Sequence, residues 1–567
     1  MDTTELIKTA REMLAREQAQ QALDLIGPLV PREQRNIELL RVLAETLMDL
    51  DRPADATAVY QGILGIDPQH AEAAAKVQEA IAAMELLLKL ASNADDLRAW
   101  DEARENYEAV LHQYPLAILA LTRLLAMDGF EGRLGDADRH ERFLIRALKA
   151  IDLLTIHHNN LAMIAYQAIM RPLTPSVEKS VTTALNTQIA ALAQAFGPLP
   201  TALPKSTGRL RVGYLSNNFR DHPIGHVTSA LFAAHDRAKV EVHVFYYPAG
   251  DANPYTDQIK AGAERFHIER EPDAMLRAIA RENVDVLVYL DGYMTTFLIP
   301  VIARRPAPIQ VYWLGHAGSY EIDGIDYLIA DETVIPHGEE ALYRPKIVRL
   351  PGTYHPASPH MVGTDISRAD AGLPERGFVF CAFNNPEKID TPTFDLWMRI
   401  LKRVPDSVLW LSITQSQSIA QNLRKEAEAR GIKGERLIFA ARLPDKAVHL
   451  ARHRHAGLFL DTLGLNASTT ALDALWSGLP LITVTGPRFA SRIATSFLKA
   501  LDMPDLICRN AQEFEERAVI LATTPAALAV ARERLAANLK SQSLFQIEAF
   551  CRKLETALID IAANHRR

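Results

Sequence analysis

The sequence predicts a multidomain protein in which α-helical repeats precede two α/β lobes, each built on a doubly wound parallel sheet. Residues 1–150 carry apolar residues at three- and four-residue spacing and almost no strand signals. From Arg209 onward, short apolar runs alternate with helical stretches, a pattern typical of parallel strands buried on both faces. A Pro- and Gly-rich break at 351–377 divides these runs into two series, so we expect two lobes.

The predicted domain boundaries follow these changes. The helical repeats take residues 1–150, the N-terminal lobe with its linking helices takes 151–352, an inter-lobe linker takes 353–376, and the C-terminal lobe takes 377–567. A chain of 567 residues is too long for a single core, so several domains are expected.

Composition narrows the function classes. The net charge of -7 argues against broad binding to nucleic acid or anionic membranes. The cysteines, Cys381, Cys508 and Cys551, are odd in number and lack CxxC spacing, so neither a disulfide framework nor a zinc knuckle is expected. Runs of about 18 apolar residues and the apolar region of a signal peptide are both missing from the sequence. We therefore expect a protein of the reducing cytoplasm.

The repeats are indicated by three segments that share one plan. In "ADATAVYQGILGIDP" (54–68) and "WDEARENYEAVLHQYP" (100–115), a small residue precedes an aromatic residue, an aliphatic pair and a proline, and "AQQALDLIGPLVP" (19–31) is a weaker copy. Their prolines, Pro31, Pro68 and Pro115, lie 37 and 47 residues apart, near the tetratricopeptide period of about 34 residues. We predict degenerate tetratricopeptide-like repeats, with a generic helical bundle as the alternative. Such a solenoid presents a concave surface to a polypeptide.

The strands of both lobes are predicted from their apolar runs. The N-terminal lobe has "LRVGYLS" (210–216), "VEVHVFYY" (240–247), "VDVLVYL" (284–290), "IQVYWLG" (309–315) and "IDYLIAD" (325–331). The C-terminal lobe has "FVFCAF" (378–383), "SVLWLSI" (407–413), "RLIFAAR" (436–442), "GLFLDT" (457–462) and "LPLITVTG" (479–486).

Lys388 closes the segment "CAFNNPEK", just past the first strand of the second series. Ligands of doubly wound sheets bind outside the carboxyl ends of the strands, so the ammonium is expected in the cleft between the lobes. There it could contact an anion and, for a phosphorylated substrate, neutralise developing oxygen charge. An ordinary surface lysine in a loop is the alternative.

A second candidate element is the helix start at Ser468, Thr469 and Thr470 in "FLDTLGLNASTTALDALWSG". An N-cap hydroxyl with unpaired backbone amides makes a phosphate site. Asp473, one turn further on, could accept hydrogen bonds from ribose hydroxyls. The simpler alternative is a plain capped helix with a solvated aspartate.

Several ligand classes are disfavoured by missing motifs. The sequence contains neither a GxGxxG after its first strand nor a GxxxxGK[ST], which argues against dinucleotide oxidoreductases and P-loop NTPases. The spaced pairs His449/His453 and His222/His226 lack an HExxH pattern and a clear third ligand, so no metal is expected there.

At this point the motifs carry a family resemblance. Residues 150–550 resemble the catalytic region of O-linked N-acetylglucosamine transferases, through "LRVGYLSNNFRDHPIGH", "LDGY", "RPAPIQVYWLGHAG", "CAFNNPEKID", "LKRVPDSVLWL", "LDALWSGLPLITVTG" and "ASRIATS". The resemblance to these nucleocytoplasmic enzymes implies a two-lobed glycosyltransferase fold of the type called GT-B. It also implies a UDP-N-acetylglucosamine donor, Ser or Thr hydroxyls of proteins as acceptors, inversion at the sugar carbon, and no metal or other cofactor.

The resemblance further assigns roles to single residues. Lys388 would contact the donor diphosphate, and Asp473 the ribose. The remaining donor-binding residues would be Thr469 and Thr470 at the phosphates, His449 stacked on uracil, Lys446 beside the nucleoside, and Leu314, Gly315 and Tyr293 near the sugar. Ser468 is kept as a further donor-binding candidate because of its place at the helix start.

The general base stays open among three candidates. His222 resembles the family histidine that follows the first strand and would lie close to the reacting groups, and His157, in the pair with His158, resembles a histidine between the repeats and the first lobe. Imidazole suits this task because its pKa lies near neutrality. A water- or phosphate-assisted route is the third candidate.

Departures from the animal enzymes leave more than one sugar donor open. The long insertion between their lobes is missing, Ser468 replaces a histidine, and "NNPE" before Lys388 is similar to the plant protein fucosyltransferases. Alternatives are therefore a GDP-fucose or UDP-glucose donor, a repeat scaffold that binds nucleotide-sugar without turnover, and a GT-B enzyme acting on glycans or sugar nucleotides, such as an epimerase.

Overall fold

A computed structural model describes residues 2–96, 99–203, 208–248, 250, 253–293, 295–318, 321–364, 366–412, 418–443 and 445–565. The chain divides into two compact units. The first is Met1–Met127 with Arg139–Ile151, and the second is Asp128–Asp138 with Asp152–Arg567.

The N-terminal part of the described chain contains eight successive α-helices. They are α1 (Thr3–Leu14), α2 (Ala19–Ile26), α3 (Ile37–Asp49), α4 (Pro53–Ile66), α5 (Ala71–Asp96), α6 (Trp100–Gln113), α7 (Ile118–Glu131) and α8 (Leu134–Ala150). From α1 to α6 each helix packs on the next, as expected of a helical solenoid.

The repeated plan is visible in the cores of α4 and α6. Both helices bury an alanine, a tyrosine four residues later and an aliphatic residue three further on: Ala56, Tyr60 and Ile63 in α4, and Ala103, Tyr107 and Val110 in α6. The small residue permits close helix approach while the ring fills the space beside it. The three proline-ended segments are helices that stop before their prolines, and the predicted N-terminal helical repeats are confirmed.

Two linking helices, α9 (His158–Gln167) and α10 (Pro175–Gln194), lead into the first α/β lobe. Its seven strands in the described residues are β1 (Leu210–Ser216), β2 (Val240–Tyr246), β3 (Arg265–Ile268), β4 (Val286–Tyr289), β5 (Ile309–Tyr312), β6 (Tyr327–Ala330) and β7 (Lys346–Arg349). All pair in parallel, in the order β3-β2-β1-β4-β5-β6-β7. Their connecting helices are α11 (Pro223–Thr228), α12 (Leu231–Ala234), α13 (Pro254–Gly262), α14 (Pro272–Glu282) and α15 (Ile299–Ala303).

The second lobe repeats this topology. Its strands are β8 (Val379–Ala382), β9 (Val408–Ser412), β10 (Leu437–Ala440), β11 (Leu458–Leu460), β12 (Leu481–Val484) and β13 (Ile507–Cys508), parallel in the order β10-β9-β8-β11-β12-β13. The helices are α16 (Thr391–Arg403), α17 (Ser418–Ala429), α18 (Lys446–Ala451), α19 (Thr469–Trp476), α20 (Ile493–Ala500), α21 (Ala511–Thr523), α22 (Pro525–Ser541) and α23 (Ile547–His565). Both sheets are doubly wound, and the predicted fold class is confirmed.

All ten strands predicted from apolar runs are present, except that Ile413 lies outside the described residues. The prediction missed β3, β7 and β13, which are outermost in their sheets. In β3 and β7 all four residues are at least partly exposed, so the continuous apolar run that marks a central strand is missing.

The last helix departs from the predicted division, which placed residues 377–567 in the C-terminal lobe. Helix α23 packs on α12 of the N-terminal lobe, and the rings of Phe550 and Trp313 stack with centroids 5.9 Å apart. The apolar face of α23 packs against the N-terminal lobe, so the chain crosses back from the C-terminal lobe to the N-terminal lobe.

None of the described helices is long and apolar enough to cross a membrane. All three cysteines are buried free thiols.

Side-chain contacts also join the two lobes. Ser496 in α20 donates a hydrogen bond of 2.6 Å to the buried carboxylate of Asp331, which follows β6. Arg492 binds both carboxylate oxygens of Glu339 at 2.7 and 3.0 Å. A bidentate guanidinium–carboxylate pair fixes orientation as well as distance.

Candidate active site

A cavity of about 940 Å³ opens at the carboxyl ends of the second sheet's strands. The order of this sheet reverses between β8 and β11, which is where ligands of doubly wound folds bind. Both lobes line the cavity: the first contributes Asp221, Pro223, His226 and Tyr255, and the second contributes Lys388, Lys446, His449, Thr469 and Thr470.

Lys388 ends a short 3-10 turn directly after β8 and faces this cavity. Its ammonium donates a hydrogen bond of 2.9 Å to the carbonyl oxygen of Asn466. Burial lowers the pKa of Lys388 to about 8, although the nearby carboxylates of Asp461 and Glu387 act in the opposite direction. Lys388 is therefore mainly protonated at pH 7, and an ammonium with one acceptor in place has further N–H groups for an anion.

Asp461 is a site residue that the sequence analysis missed. It follows β11, is fully buried, and accepts hydrogen bonds from the amides of Thr462 and Ala467 and from the hydroxyl of Thr483. Burial raises its pKa to about 6 against the effect of these hydrogen bonds. Asp461 thus shapes the loop that carries Asn466 and places negative charge near Lys388. The sequence cue for Asp461 was a single acidic residue directly after the apolar part of the predicted strand "GLFLDT".

Asn384 was noted only as a departure from the animal enzymes, yet it orders the strand-end loops. Its amide nitrogen donates to Thr462 at 3.1 Å, and its amide oxygen accepts from the Thr470 hydroxyl at 2.6 Å. Thr470 is the second residue of α19, whose first amides have no partner inside the helix. The N-terminus of α19 is therefore presented to the cavity by Thr469 and Thr470, as expected for a phosphate site.

Ser468 does not behave as expected. It precedes α19, but its side chain makes no capping hydrogen bond to the helix. Its hydroxyl instead lies 3.1 Å from Nε2 of the buried His355, and Ser468 is not among the described residues that line the cavity. The N-cap hydroxyl inferred from the sequence is wrong, because a tertiary partner in the inter-lobe segment competes for that oxygen.

Three of the predicted residues lie together near α18. Lys446 and His449 line the cavity, whereas Asp473 lines a smaller pocket that shares Lys446 and Thr469 with it. Lys446 is the first residue of α18 and donates to Oδ2 of the mostly buried Asp473. His449, one turn later on the same face, has Nε2 at 3.8 Å from that oxygen. Burial, reinforced by neighbouring cations, lowers the pKa of His449 to about 2, so the ring is neutral at pH 7. A neutral flat ring on a cavity wall can stack on a base.

Arg452 is a second residue that the sequence analysis missed. Its guanidinium lies 4.3 Å from the ring centroid of Phe383, and both residues line the cavity. It also donates to the carbonyl oxygen of Ala441 at 2.8 Å, so it holds the loop after β10 against the loop after β8. An arginine in a helical segment carries no sequence signal for this role.

His222 caps α11 in the first lobe. Its Nδ1 accepts a hydrogen bond of 3.2 Å from the amide of Ile224, so the neutral ring carries its proton on Nε2. Burial lowers its pKa to about 4. Asp221 and Pro223 on either side line the cavity. His222 itself is not among the described residues that line the cavity. In this geometry its Nε2–H is the available hydrogen-bond donor, and neither ring nitrogen has a free lone pair to act as a base.

His157 is not brought to the cavity. It is exposed, caps α9 through a hydrogen bond of 3.3 Å accepted from the amide of Asn159, and lies with its ring centroid 4.1 Å from that of His158. Among the described residues that line the cavity, neither histidine appears.

The residues expected near the sugar shape the strand-end loops of the first lobe. Leu314 has φ 72°, in the left-handed region, and a Cβ on Gly315 would lie 2.1 Å from the carbonyl oxygen of Leu290. Only glycine fits at that approach. The buried hydroxyl of Tyr293 accepts the amide N–H of Glu321 at 3.0 Å, and burial raises its pKa above the usual range. These three residues support the loops and are not among the described lining residues of the cavity.

Comparison with known proteins places this chain in a family. The model for "Glycosyl transferase family 41" matches residues 167–363 and 360–554. An Arabidopsis thaliana relative, "Probable UDP-N-acetylglucosamine--peptide N-acetylglucosaminyltransferase SEC", is 32% identical over 408 residues, covering 69% of this chain and 42% of the relative. A Caenorhabditis elegans UDP-N-acetylglucosamine--peptide N-acetylglucosaminyltransferase is 26% identical over 466 residues, covering 62% and 40%. The chain thus spans about two fifths of the length of these curated relatives.

A solved structure, a mutant of Thermobaculum terrenum O-GlcNAc transferase, superposes with a TM-score of 0.64 at 23% identity and covers 99% of this chain and 97% of that one. The shared fold therefore extends over the N-terminal helices as well as both lobes. The chain belongs to glycosyl transferase family 41, which confirms the resemblance that its sequence motifs indicate.

Proposed function

We propose that the protein transfers N-acetylglucosamine from UDP-N-acetylglucosamine to Ser or Thr hydroxyls of proteins, with inversion at the sugar carbon and without a metal ion. The names of both curated relatives support the donor and the peptide acceptor. The observation that carries the proposal is Lys388, a protonated side chain held at the strand-order reversal and facing a cavity of about 940 Å³.

The donor fits this cavity as a set of separate contacts. Its diphosphate lies between the Lys388 ammonium and the amides that open α19 at Thr469 and Thr470. The ribose lies beside Asp473, whose carboxylate Lys446 holds in place. The uracil stacks on the neutral ring of His449. Each contact joins one part of the donor to a group of matching charge or shape.

The chemical step needs charge stabilisation on the leaving group. The acceptor hydroxyl oxygen forms a bond to the anomeric carbon while the bond from that carbon to the β-phosphate oxygen breaks on the opposite face, which inverts the configuration. UDP leaves with the electron pair of the broken bond. The ammonium of Lys388 is positioned to stabilise the oxygen charge that develops, the role that a metal ion has in other transferases.

The acceptor hydroxyl must also lose its proton. His222 has Nδ1 occupied by the amide of Ile224, so it contributes the Nε2–H as a donor to the acceptor or to the donor phosphates. We assign the proton to a water molecule or a donor phosphate oxygen, the third route inferred from the sequence. His157 is exposed and is not among the described residues that line the cavity, so it is not assigned this role.

The helical repeats are proposed as the surface that binds polypeptide acceptors, because stacked helical repeats form extended concave surfaces. A chain that begins at Asp128 tests this. We expect it to retain transfer to a short peptide and to lose transfer to protein acceptors, with circular dichroism confirming that its α/β part is folded. If the shortened chain transferred sugar to the peptide and to protein acceptors as well as the full chain does, the repeats would have no role in binding acceptors.

The proposed function as a whole is tested by calorimetric titration with UDP-N-acetylglucosamine, UDP-glucose and GDP-fucose in the presence of EDTA. Selective binding of the first, followed by transfer of labelled sugar to a Ser- or Thr-containing peptide, supports the proposal. The anomeric configuration of the product, measured by NMR, tests inversion. Binding of GDP-fucose alone would assign a fucosyl donor, and binding without transfer would support the scaffold alternative.

A further inference from the structure

We propose that His243, His267 and Glu282 form a binding site for one divalent transition-metal ion, with Zn²⁺ the best match, on the outer part of the first sheet. This inference is separate from the proposed transfer reaction. None of the three lies among the described lining residues of the active-site cavity.

The fold brings the three side chains together from three elements. His267 in β3 pairs with Phe245 in β2, and His243 lies two residues before Phe245, so the side chains share one face of the sheet. Glu282 is the last residue of α14. One ligand atom from each of the three residues lies within 4.8 Å of the ligand atoms of the other two.

The distances suit a small cation between these atoms. Nδ1 of His243 is 3.5 Å from Glu282 Oε2, and Nε2 of His267 is 3.8 Å from Oε1. Zinc bonds of about 2.0–2.1 Å in tetrahedral geometry place ligand atoms about 3.3 Å apart. The two nitrogen–carboxylate distances are thus within about half an ångström of this spacing, and the two ring nitrogens lie within 4.8 Å of each other.

The hydrogen bonding of His243 is the observation that points to a cation. Its Nε2 lies 3.1 Å from a carboxylate oxygen of Glu241, so in the neutral ring Nε2 carries the proton and Nδ1 keeps a lone pair. His243 is only 1% exposed, and its Nδ1 makes no hydrogen bond within the described structure; nor does the buried Nε2 of His267. Two imidazole nitrogens without hydrogen bonds thus lie on either side of the Glu282 carboxylate. A cation bound between them would be coordinated by both nitrogens and by the carboxylate.

The surroundings favour the neutral ligand form of both rings. Burial lowers the pKa of His243 and of His267, partly offset by nearby carboxylates. The carboxylate of Glu241 orients His243, as outer-sphere carboxylates do for metal-bound histidines. Arg209 and Arg211, each 3.5 Å from Glu241, balance its charge, which leaves Glu282 as the anionic ligand. The ring of Phe245 packs nearly parallel to His267 at 4.9 Å and restrains it.

The site is reachable from solvent. The side chains of His267 and Glu282 are 23% and 18% exposed, so the ion can enter from solvent and a water molecule can serve as the fourth ligand. Two histidines and one carboxylate are the nitrogen and oxygen donors that Zn²⁺ accepts.

A second cluster, His235, Cys551 and Glu555, is a weaker candidate and provides a control. There Glu555 already accepts hydrogen bonds from His235 at 2.9 Å and from the amide of Asp236 at 2.7 Å, and it forms an ion pair with Arg552 at 3.0 Å. The other nitrogen of His235 lies 2.8 Å from the hydroxyl of Tyr214. These contacts satisfy His235 and Glu555 without a cation.

The test is Zn²⁺ binding by the full chain after removal of metal with a chelator and without any sugar donor. We expect one equivalent to bind, with a dissociation constant below about 1 µM in competition with a chromophoric chelator. His267→Gln and Glu282→Gln should each weaken this binding roughly 100-fold or more. Cys551→Ser, in the second cluster, and His337→Gln, at an exposed histidine, should leave it unchanged. Thermal unfolding of the metal-free variants checks that each is folded.

Substitution of Co²⁺ for Zn²⁺ locates the ion spectroscopically. Nitrogen and oxygen ligands alone give visible d–d absorption without the near-ultraviolet charge-transfer band of a cobalt–thiolate bond. The proposal is overturned by the absence of tight binding in the wild-type chain, by unchanged binding in both His267→Gln and Glu282→Gln, or by a thiolate band that Cys551→Ser removes. None of these results bears on sugar transfer, which the donor titration tests separately.

Discussion

The ammonium of Lys388 donates a hydrogen bond of 2.9 Å to the main-chain carbonyl oxygen of Asn466. This bond joins the loop after β8 to the loop after β11, the two strands between which the order of the second sheet reverses. Asp461 holds the second loop through its bonds to the amides of Thr462 and Ala467. The position of the charge is therefore set by main chain on both sides, as expected of a group that must meet a phosphate with fixed geometry.

Replacing Lys388 by methionine should reduce the rate of sugar transfer roughly 100- to 1000-fold, since it removes one charge-stabilising donor at similar side-chain volume. Steady-state kinetics with a peptide acceptor measures this effect. Lys425→Met, at an exposed position in α17, is the matched control and should retain full activity. An unchanged turnover number in Lys388→Met would exclude a leaving-group role for this lysine.

Donor affinity should fall at alkaline pH. Burial lowers the pKa of Lys388 to about 8, and the diphosphate binds the protonated form, so affinity is retained below pH 8 and lost above it. A group with this pKa predicts about tenfold weaker binding at pH 9 than at pH 7. Calorimetry with UDP-N-acetylglucosamine across this range measures the slope, and Lys388→Met should flatten it. A dissociation constant that is independent of pH in the wild type would contradict this assignment.

Substitutions of His222 can distinguish a role as hydrogen-bond donor from a role as general base. Its Nδ1 accepts from the amide of Ile224, which leaves Nε2–H as the available group. Glutamine can place an amide N–H near that position, so His222→Gln should retain turnover within about tenfold, whereas His222→Ala should lose more because both the donor and the helix cap are removed. Both variants need checks of folding by circular dichroism. Equal, severe loss in both, together with loss of the acidic limb of the pH–rate profile, would restore His222 as the general base.

Asp473 should act in binding rather than in the chemical step. Its carboxylate is mostly buried and accepts from Lys446, beside the neutral ring of His449. Asp473→Asn removes an ionic hydrogen-bond acceptor, so KM for the donor should rise about tenfold or more while kcat changes little. The exposed Asp370→Asn is a control of the same chemistry. A fall in kcat at constant KM would contradict this role.

The sequence predicts the central strands of both lobes because residues buried on two faces leave continuous apolar runs. Strands β3 and β7 carry no such signal because all four residues of each are at least partly exposed, and β13 has only two residues. The sequence also does not predict that α23 returns to the first lobe, because the pattern of an amphipathic helix does not specify which apolar surface the helix covers. The stacking of Phe550 on Trp313 is a long-range contact that only the folded chain shows.

The sequence predicts those residues of the candidate site that lie directly after a strand or at the start of a helix. Lys388, Thr469 and Thr470 were found in this way, and the structure places them on one cavity. Ser468 was misjudged because His355 attracts its hydroxyl from the inter-lobe segment, distant in sequence. Asp461 and Arg452 act by supporting loops, and single charged residues give no pattern that separates support from an ordinary surface or core position.

Glu555 connects the final helix to the first lobe, and its loss should destabilise the protein. It is 2% exposed and accepts from His235 at 2.9 Å and from the amide of Asp236 at 2.7 Å. Glu555→Gln removes the charge from this network and should lower the free energy of unfolding by about 2–4 kcal/mol, measured by denaturant titration. The exposed Asp560→Asn on the same helix should change it by less than about 0.5 kcal/mol.

The pH dependence of stability gives this last prediction a second readout. Burial acts to raise the pKa of Glu555, but the hydrogen bonds from His235 and Asp236 outweigh it, and the pKa in the folded state is lowered. A carboxyl group with a lowered folded pKa contributes stability above its unfolded pKa, and this contribution is lost as the pH falls through the folded pKa. The wild type should therefore lose stability on acidification below about pH 5 more steeply than Glu555→Gln. Parallel acid dependence in both proteins would show that the ionised form of Glu555 makes no net contribution to holding α23 on the first lobe.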